Sequence, residues 1–161
     1  GEAENFLGME IRGKLVDRAL MWAREIGLGD NTHFMATNAT VSFESILSTY
    51  PGPLRLVCIQ CPDPHFKKRH HKRRIVQPQL VEMIAGALPP GGRVFLQSDV
   101  EEVGVAMRDQ FEKYGGGLLA LHPLHDETGV QLPPQVLKGG ANSPPALGNK
   151  FANAAAAAGA E

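Results

Sequence analysis

The sequence predicts an α/β fold with a doubly wound, mainly parallel sheet, and three observations carry that expectation. Short apolar runs of strand length alternate with segments of helical periodicity, as in a succession of βαβ units. Proline and glycine punctuate the joints, at Gly27 and Gly29, at Pro51-Gly52-Pro53, at Pro62-Asp63-Pro64 and from Pro89 to Gly92. Polar groups recur at the carboxyl ends of four predicted strands, namely Glu10, Asn38, Asp63 and Asp99. Open parallel sheets bind their ligands at those ends.

Taken in order, Asn5 to Arg12 reads as a strand whose acid, Glu10, lies near its carboxyl end. Residues 14 to 26 place Leu15, Ala19, Trp22 and Ile26 at three- and four-residue spacing, which predicts an amphipathic helix stopped by Gly27 and Gly29. His33 to Thr37 is a second strand, followed by Asn38-Ala39 and a brief helix around Ser42 to Ser48. Leu54 to Cys61, mostly apolar and bounded by prolines, predicts a buried parallel strand, the most buried of the set. Gln77 to Leu88 is the next helix and Arg93 to Gln97 the next strand. Ser98 or Asp99 then caps a helix that runs to Tyr114, with Glu101 and Glu102 favourably placed against the dipole of its first turn. Leu118 to Leu121 is a candidate last strand. Beyond it proline and glycine recur, residues 138 to 149 read as loop, and the alanine run at 154 to 158 is too short to hold a helix without packing. One α/β domain over residues 1 to 137 and an irregular, low-complexity tail over 138 to 161 follow.

Composition narrows the function classes. A chain of 161 residues that is 43% hydrophobic can bury the core of one domain. Its formal net charge of -1 excludes a generally basic nucleic-acid coat, so any polyanion binding must come from local patterning. Cys58 and Cys61 form a CxxC inside a predicted strand, where positions three apart face opposite ways; a buried structural role is expected rather than chelation or a disulfide. His65, His70 and His71, and the HxxH of His122 and His125, lack metal-ligand spacing to a carboxylate or cysteine, so no metal site is expected. There is no P-loop, no Ser-His-Asp order and no zinc framework. No apolar run approaches the roughly 20 residues of a membrane span, and no signal-peptide pattern is present. A soluble intracellular protein is expected; because the sequence opens on Gly1 rather than Met, the organelle stays open.

The pattern that local charge requires lies directly after the central strand. Asp63 sits between two φ-restricted prolines, and six lysines and arginines (Lys67, Lys68, Arg69, Lys72, Arg73, Arg74) follow within eight positions, with no acid among them. A fixed carboxylate beside a polycation suits a site that handles one nucleobase while gripping the phosphates around it, since phosphate contacts position and base contacts specify.

The stretches NFLGMEIR, Asn38-Ala39, PDPHFKKRHHKRRIVQPQL and LPPGGRVFLQSDVEE together resemble the tRNA (guanine-N(7)-)-methyltransferases, class I enzymes dependent on S-adenosylmethionine. The resemblance spans roughly residues 5 to 114 and is most specific in the Pro-Asp-Pro-His-Phe-Lys-Lys motif. It implies a Rossmann-like fold and transfer of a methyl group to N7 of guanine in tRNA. By position it implies Asp63 as catalytic acid, Glu10, Ile11, Asn38, Ala39 and Gln60 as cofactor contacts, and Lys67 and Asp99 as substrate contacts. The rest of the basic run, Lys68, Arg69, Arg73 and Arg74, would join them on the tRNA. The family's first strand, with its acid and glycine-rich turn, has no counterpart, and its late Thr-x-x-Glu is not matched at Thr128 to Gln131. A preceding segment or a partner subunit is then expected to complete the cofactor site, and the alternatives are a non-catalytic tRNA-binding remnant or an inactive fragment. Loss of that strand would leave its two neighbours with open edges.

Overall fold

The computed structural model describes residues 4–122, all but the last of them in the first of two units into which the chain divides, residues 1–121 and 122–161. His125, Thr128 to Gln131, the 137/138 boundary and the tail lie outside the described residues.

Four strands and four helices alternate: β1 (Phe6–Glu10), α1 (Gly13–Glu25), β2 (Thr32–Ala36), α2 (Ala39–Thr49), β3 (Leu56–Gln60), α3 (Pro78–Ala87), β4 (Arg93–Gln97) and α4 (Glu101–Tyr114). A 3-10 segment, Lys68–Arg73, lies within the basic run, where the sequence predicts only a loop. The helix ends follow local chemistry. Helix α1 closes with the Leu28 amide on the Ala23 carbonyl (2.8 Å) and the Gly27 amide on Arg24 (3.1 Å), a Schellman turn that requires the left-handed φ of +76° at Gly27. Helix α2 starts three residues earlier than predicted because Asn38 is its N-cap, accepting the Thr40 amide at 3.1 Å. In α4 the expected cap shifts. Ser98 accepts the Val100 amide at 3.1 Å, and Val100 is the capping position without a side-chain bond of its own.

Both strand pairs are parallel, from Phe6↔Thr32 to Glu10↔Ala36 and from Leu56↔Arg93 to Gln60↔Gln97. Each forms a βαβ unit, β1-α1-β2 and β3-α3-β4. Among the described residues no ladder joins the two pairs, so the sheet consists of two two-stranded pieces, each strand paired along one edge. The expectation of a buried central strand changes accordingly. Only Ile59 of β3 is buried, while Leu56, Cys58 and Gln60 are exposed. Residues 118 to 121 are not a strand, and Leu118 and Leu121 are exposed.

The core lies beside the β3-α3-β4 unit. Leu80, Val81 and Ile84 of α3 pack with Val103, Met107 and Phe111 of α4, with Phe43 of α2 and with Ile59 beneath. Val81, Ile84 and Val103 are essentially inaccessible, and burial of each contributes about 1.5–3 kcal/mol. Around β1 and β2 the fully buried side chains are fewer, Val16 and Ala23 of α1.

Candidate functional site

Parallel pairing places the four strand-tip polar groups at carboxyl ends. Glu10 closes β1, and its Oε1 accepts the Arg12 amide at 2.9 Å, which leaves the second carboxylate oxygen free of any protein partner among the described residues. Ile11 beside it is 69% exposed, an apolar surface next to an acid. Asn38 Oδ1 accepts from both the amide and the hydroxyl of Thr40, at 3.1 and 2.7 Å, so its side-chain NH2 is the part left to meet a ligand. Ala39 begins α2. At the second pair, Gln60 donates its side-chain amide to Gln97 Oε1 across the ladder at 3.3 Å, and Asp99 is exposed just beyond β4.

Asp63 lies three residues past β3 in a tightly specified loop. Cys61 and His65 on either side of it both have φ of +44°, in the left-handed region that costs a non-glycine residue roughly 1–2 kcal/mol. The Cys61 amide extends the ladder onto the Gln97 carbonyl at 2.8 Å, and the His65 amide donates to Asp63 Oδ1 at 3.0 Å. The carboxylate is thus oriented by its own turn while remaining 58% exposed. Strain of this kind, held in place by surrounding bonds, clusters at functional sites.

The basic run divides into two kinds of residue. Lys67, Lys68, Arg69, Lys72 and Arg73 are exposed, and apart from a 3.3 Å contact between Arg69 and His70 their side chains have no hydrogen-bond partner among the described residues. Arg74 turns inward. Its Nε donates to the Pro64 carbonyl at 2.8 Å, and one terminal nitrogen lies 2.9 Å from Glu102 Oε1 and 3.1 Å from His71 Nε2. The Arg74–Glu102 hydrogen bond, reinforced by the charges of Arg74 and Lys68, holds the Glu102 carboxyl below the usual range. Glu102 and His71 were not legible as site residues, because nothing in a linear chain pairs position 74 with position 102.

A cleft of about 310 Å³ opens here, lined by Asp63, His71 and Arg74 on one side and by Val103, Ala106 and Met107 on the other. That is at the small end of ligand pockets, and both polar and apolar side chains line it. Glu10, Asn38, Gln60, Lys67 and Asp99 lie outside it.

The cysteine expectation needs correction, since both Cys58 and Cys61 are exposed. Enough protein surrounds the Cys58 sulfur for burial to push its thiol pKa up, which keeps it protonated and weakly nucleophilic. Among the described residues no group of three or more His, Cys, Asp or Glu could hold a metal, and no helix is long and apolar enough to cross a membrane.

Parallel βαβ units with polar groups at the strand tips make this a Rossmann-like α/β protein. A family model described as "Putative methyltransferase" matches residues 2–127, and the chain belongs to that family. It is 58% identical over 107 residues to the tRNA (guanine-N(7)-)-methyltransferase of Synechococcus sp. strain JA-3-3Ab, covering 66% of this chain and 44% of the relative. Similarity to the proteins of the same name from Synechocystis sp. strain PCC 6803 (53% over 107 residues, 66% and 50% of the two chains) and Thermosynechococcus vestitus (50% over 112 residues, 70% and 51%) follows the same pattern. The chain spans about half the length of the curated relatives it matches.

Proposed function

We propose that the protein transfers a methyl group from S-adenosylmethionine to N7 of guanine in tRNA, with Asp63 at the reacting base. The observation that carries this reading is the oriented, exposed Asp63 carboxylate at the tip of a parallel strand, followed at once by five outward cations. The donor set at the first pair fits the cofactor: a free carboxylate oxygen on Glu10 for ribose hydroxyls, the exposed Ile11 side chain against a ring, and the Asn38 amide with Ala39 beside them. When bound, S-adenosylmethionine supplies a methyl group on a positively charged sulfur. Guanine N7 offers a lone pair and carries no proton, so the protein has no proton to remove. Its task is alignment, and stabilisation of the positive charge that the purine acquires. Asp63 provides a fixed negative charge for that purpose. Lys67, Lys68, Arg69, Arg73 and Asp99 hold the surrounding tRNA, the cations through phosphates with an affinity that falls steeply as salt rises.

The test is incubation of the full-length gene product with S-adenosylmethionine and tRNA lacking the modification, followed by nucleoside mass spectrometry. Appearance of N7-methylguanine is expected. Salt-sensitive tRNA binding with no methylated nucleoside, and no heat of S-adenosylmethionine binding in calorimetry, would instead establish a non-catalytic tRNA-binding protein.

A further inference from the structure

The geometry points to Arg74 as a positioning residue: its guanidinium is the clamp that holds the Asp63 loop, and it is not one of the phosphate-gripping cations around it. The inference rests on the reading of Asp63 given above. In sequence Arg74 is the last of six lysines and arginines within eight positions, yet its side chain is only 12% exposed while the other five residues are exposed.

The loop needs such a clamp for a reason of backbone chemistry. Pro62 and Pro64 carry no N–H, so between the left-handed Cys61 and His65 the only main-chain donor is that of Asp63. Tying this segment down therefore falls to its carbonyls and to a donor from elsewhere. Arg74 Nε supplies that donor at 2.8 Å from the Pro64 oxygen, one residue from Asp63. The same guanidinium is anchored on its other side by Glu102 in the first turn of α4, at 2.9 Å, and by the His71 ring at 3.1 Å. Its backbone is fixed from behind. Gln77 Nε2 donates to the carbonyls of both His71 and Arg74, each at 3.1 Å. A lysine cannot reproduce this, since the clamp uses a planar fork with donors in two directions and an ammonium is a point charge. Nε and one terminal nitrogen of Arg74 are thereby engaged, which leaves only the other terminal nitrogen to meet a phosphate.

The test uses Arg74→Ala, Arg74→Lys and Arg73→Ala in the full-length gene product. Arg73→Ala should lower the slope of log tRNA affinity against log salt by about one, whereas Arg74→Ala should leave the slope unchanged. At saturating tRNA, Arg74→Ala should slow single-turnover methyl transfer by about tenfold to a hundredfold, as for a displaced reacting group. Added guanidinium ion should restore part of that loss, and Arg74→Lys should not. A slope lowered by about one, with an unchanged saturated rate, would make Arg74 a phosphate contact and overturn the clamp. An unchanged slope with an unchanged rate overturns it equally. Exchange of the His65 amide, measured without tRNA or methyl donor, should accelerate by about tenfold in Arg74→Ala and not in Arg73→Ala. If the wild-type protein transfers no methyl group, the functional reading fails and this exchange alone decides the clamp, with unaltered exchange overturning it.

Discussion

The two βαβ units use the same topology, yet they hold their strand tips in different ways. At the β1–β2 pair, the side chains of Glu10 and Asn38 are set by bonds reaching no more than two residues along the chain, to Arg12 and Thr40. Both pairs extend their ladder by one backbone bond, Thr37 to Glu10 and Cys61 to Gln97, but only the β3–β4 pair adds side-chain ties over long sequence distances, Arg74 to Pro64 across ten residues and to Glu102 across 28. Packing follows the same division. The cluster of α2, α3 and α4 lies beside β3, whereas α1 buries only Val16 and Ala23 completely. The lesson is that side chains at one strand tip are set by local capping chemistry, while the loop that carries the Asp63 carboxylate is braced by tertiary contacts.

The comparison can be broken hardest at the core. Ile84→Ala removes a side chain that is 1% exposed and should cost about 2–5 kcal/mol in denaturant unfolding; a loss below about 1 kcal/mol would show that the second unit is not the better-packed one. Next is the carboxylate. Asp63→Ala should reduce methyl transfer about a hundredfold while changing tRNA affinity by less than about threefold. Equal, small effects on both would make the loop a structural corner.

The first unit yields to smaller changes. Gly8 in β1 lies under the Phe34 ring of β2, and a Cβ there would come within 2.6 Å of Phe34 Cε1. Gly8→Ala should therefore displace that ring and cost about 1–3 kcal/mol, read as a lowered thermal midpoint; a neutral result would mean that the ring is free to swing away. Removing the cap with Asn38→Ala should cost about 1 kcal/mol and weaken S-adenosylmethionine binding together with it. Loss of stability with unchanged cofactor affinity would confine Asn38 to capping.

The smallest effect is the pH dependence of the Glu102 tie. Its carboxyl is held low in the folded protein by the Arg74 hydrogen bond, so its contribution is complete above the usual glutamate value of about 4.3 and is lost as pH falls through the lower folded value. The stability difference between the wild type and Glu102→Gln should stay constant from about pH 8 to 5 and close below about pH 4. A difference that persists unchanged at the lowest pH reached by the folded protein would mean that Arg74 does not hold the Glu102 carboxyl.

Alternation of elements, their order and the strand-tip positions of Glu10, Asn38, Asp63 and Asp99 are properties of the linear chain, because period, turn residues and β-favouring runs are local signals. So is the Asp63 loop, which two flanking prolines restrict before anything packs against it. The division of one expected sheet into two pairs, the exposure of Cys58 and Cys61, the 3-10 segment and the absence of a strand at 118 to 121 were decided by tertiary structure. Each depends on which neighbour lies alongside. A strand forms only where another offers it a ladder, and a residue is buried only where another element covers it. The same holds for the basic run. As sequence its six cations are equivalent, and what separates Arg74 from Lys67, Lys68, Arg69, Lys72 and Arg73 is a carboxylate 28 residues away that folding brings to 2.9 Å.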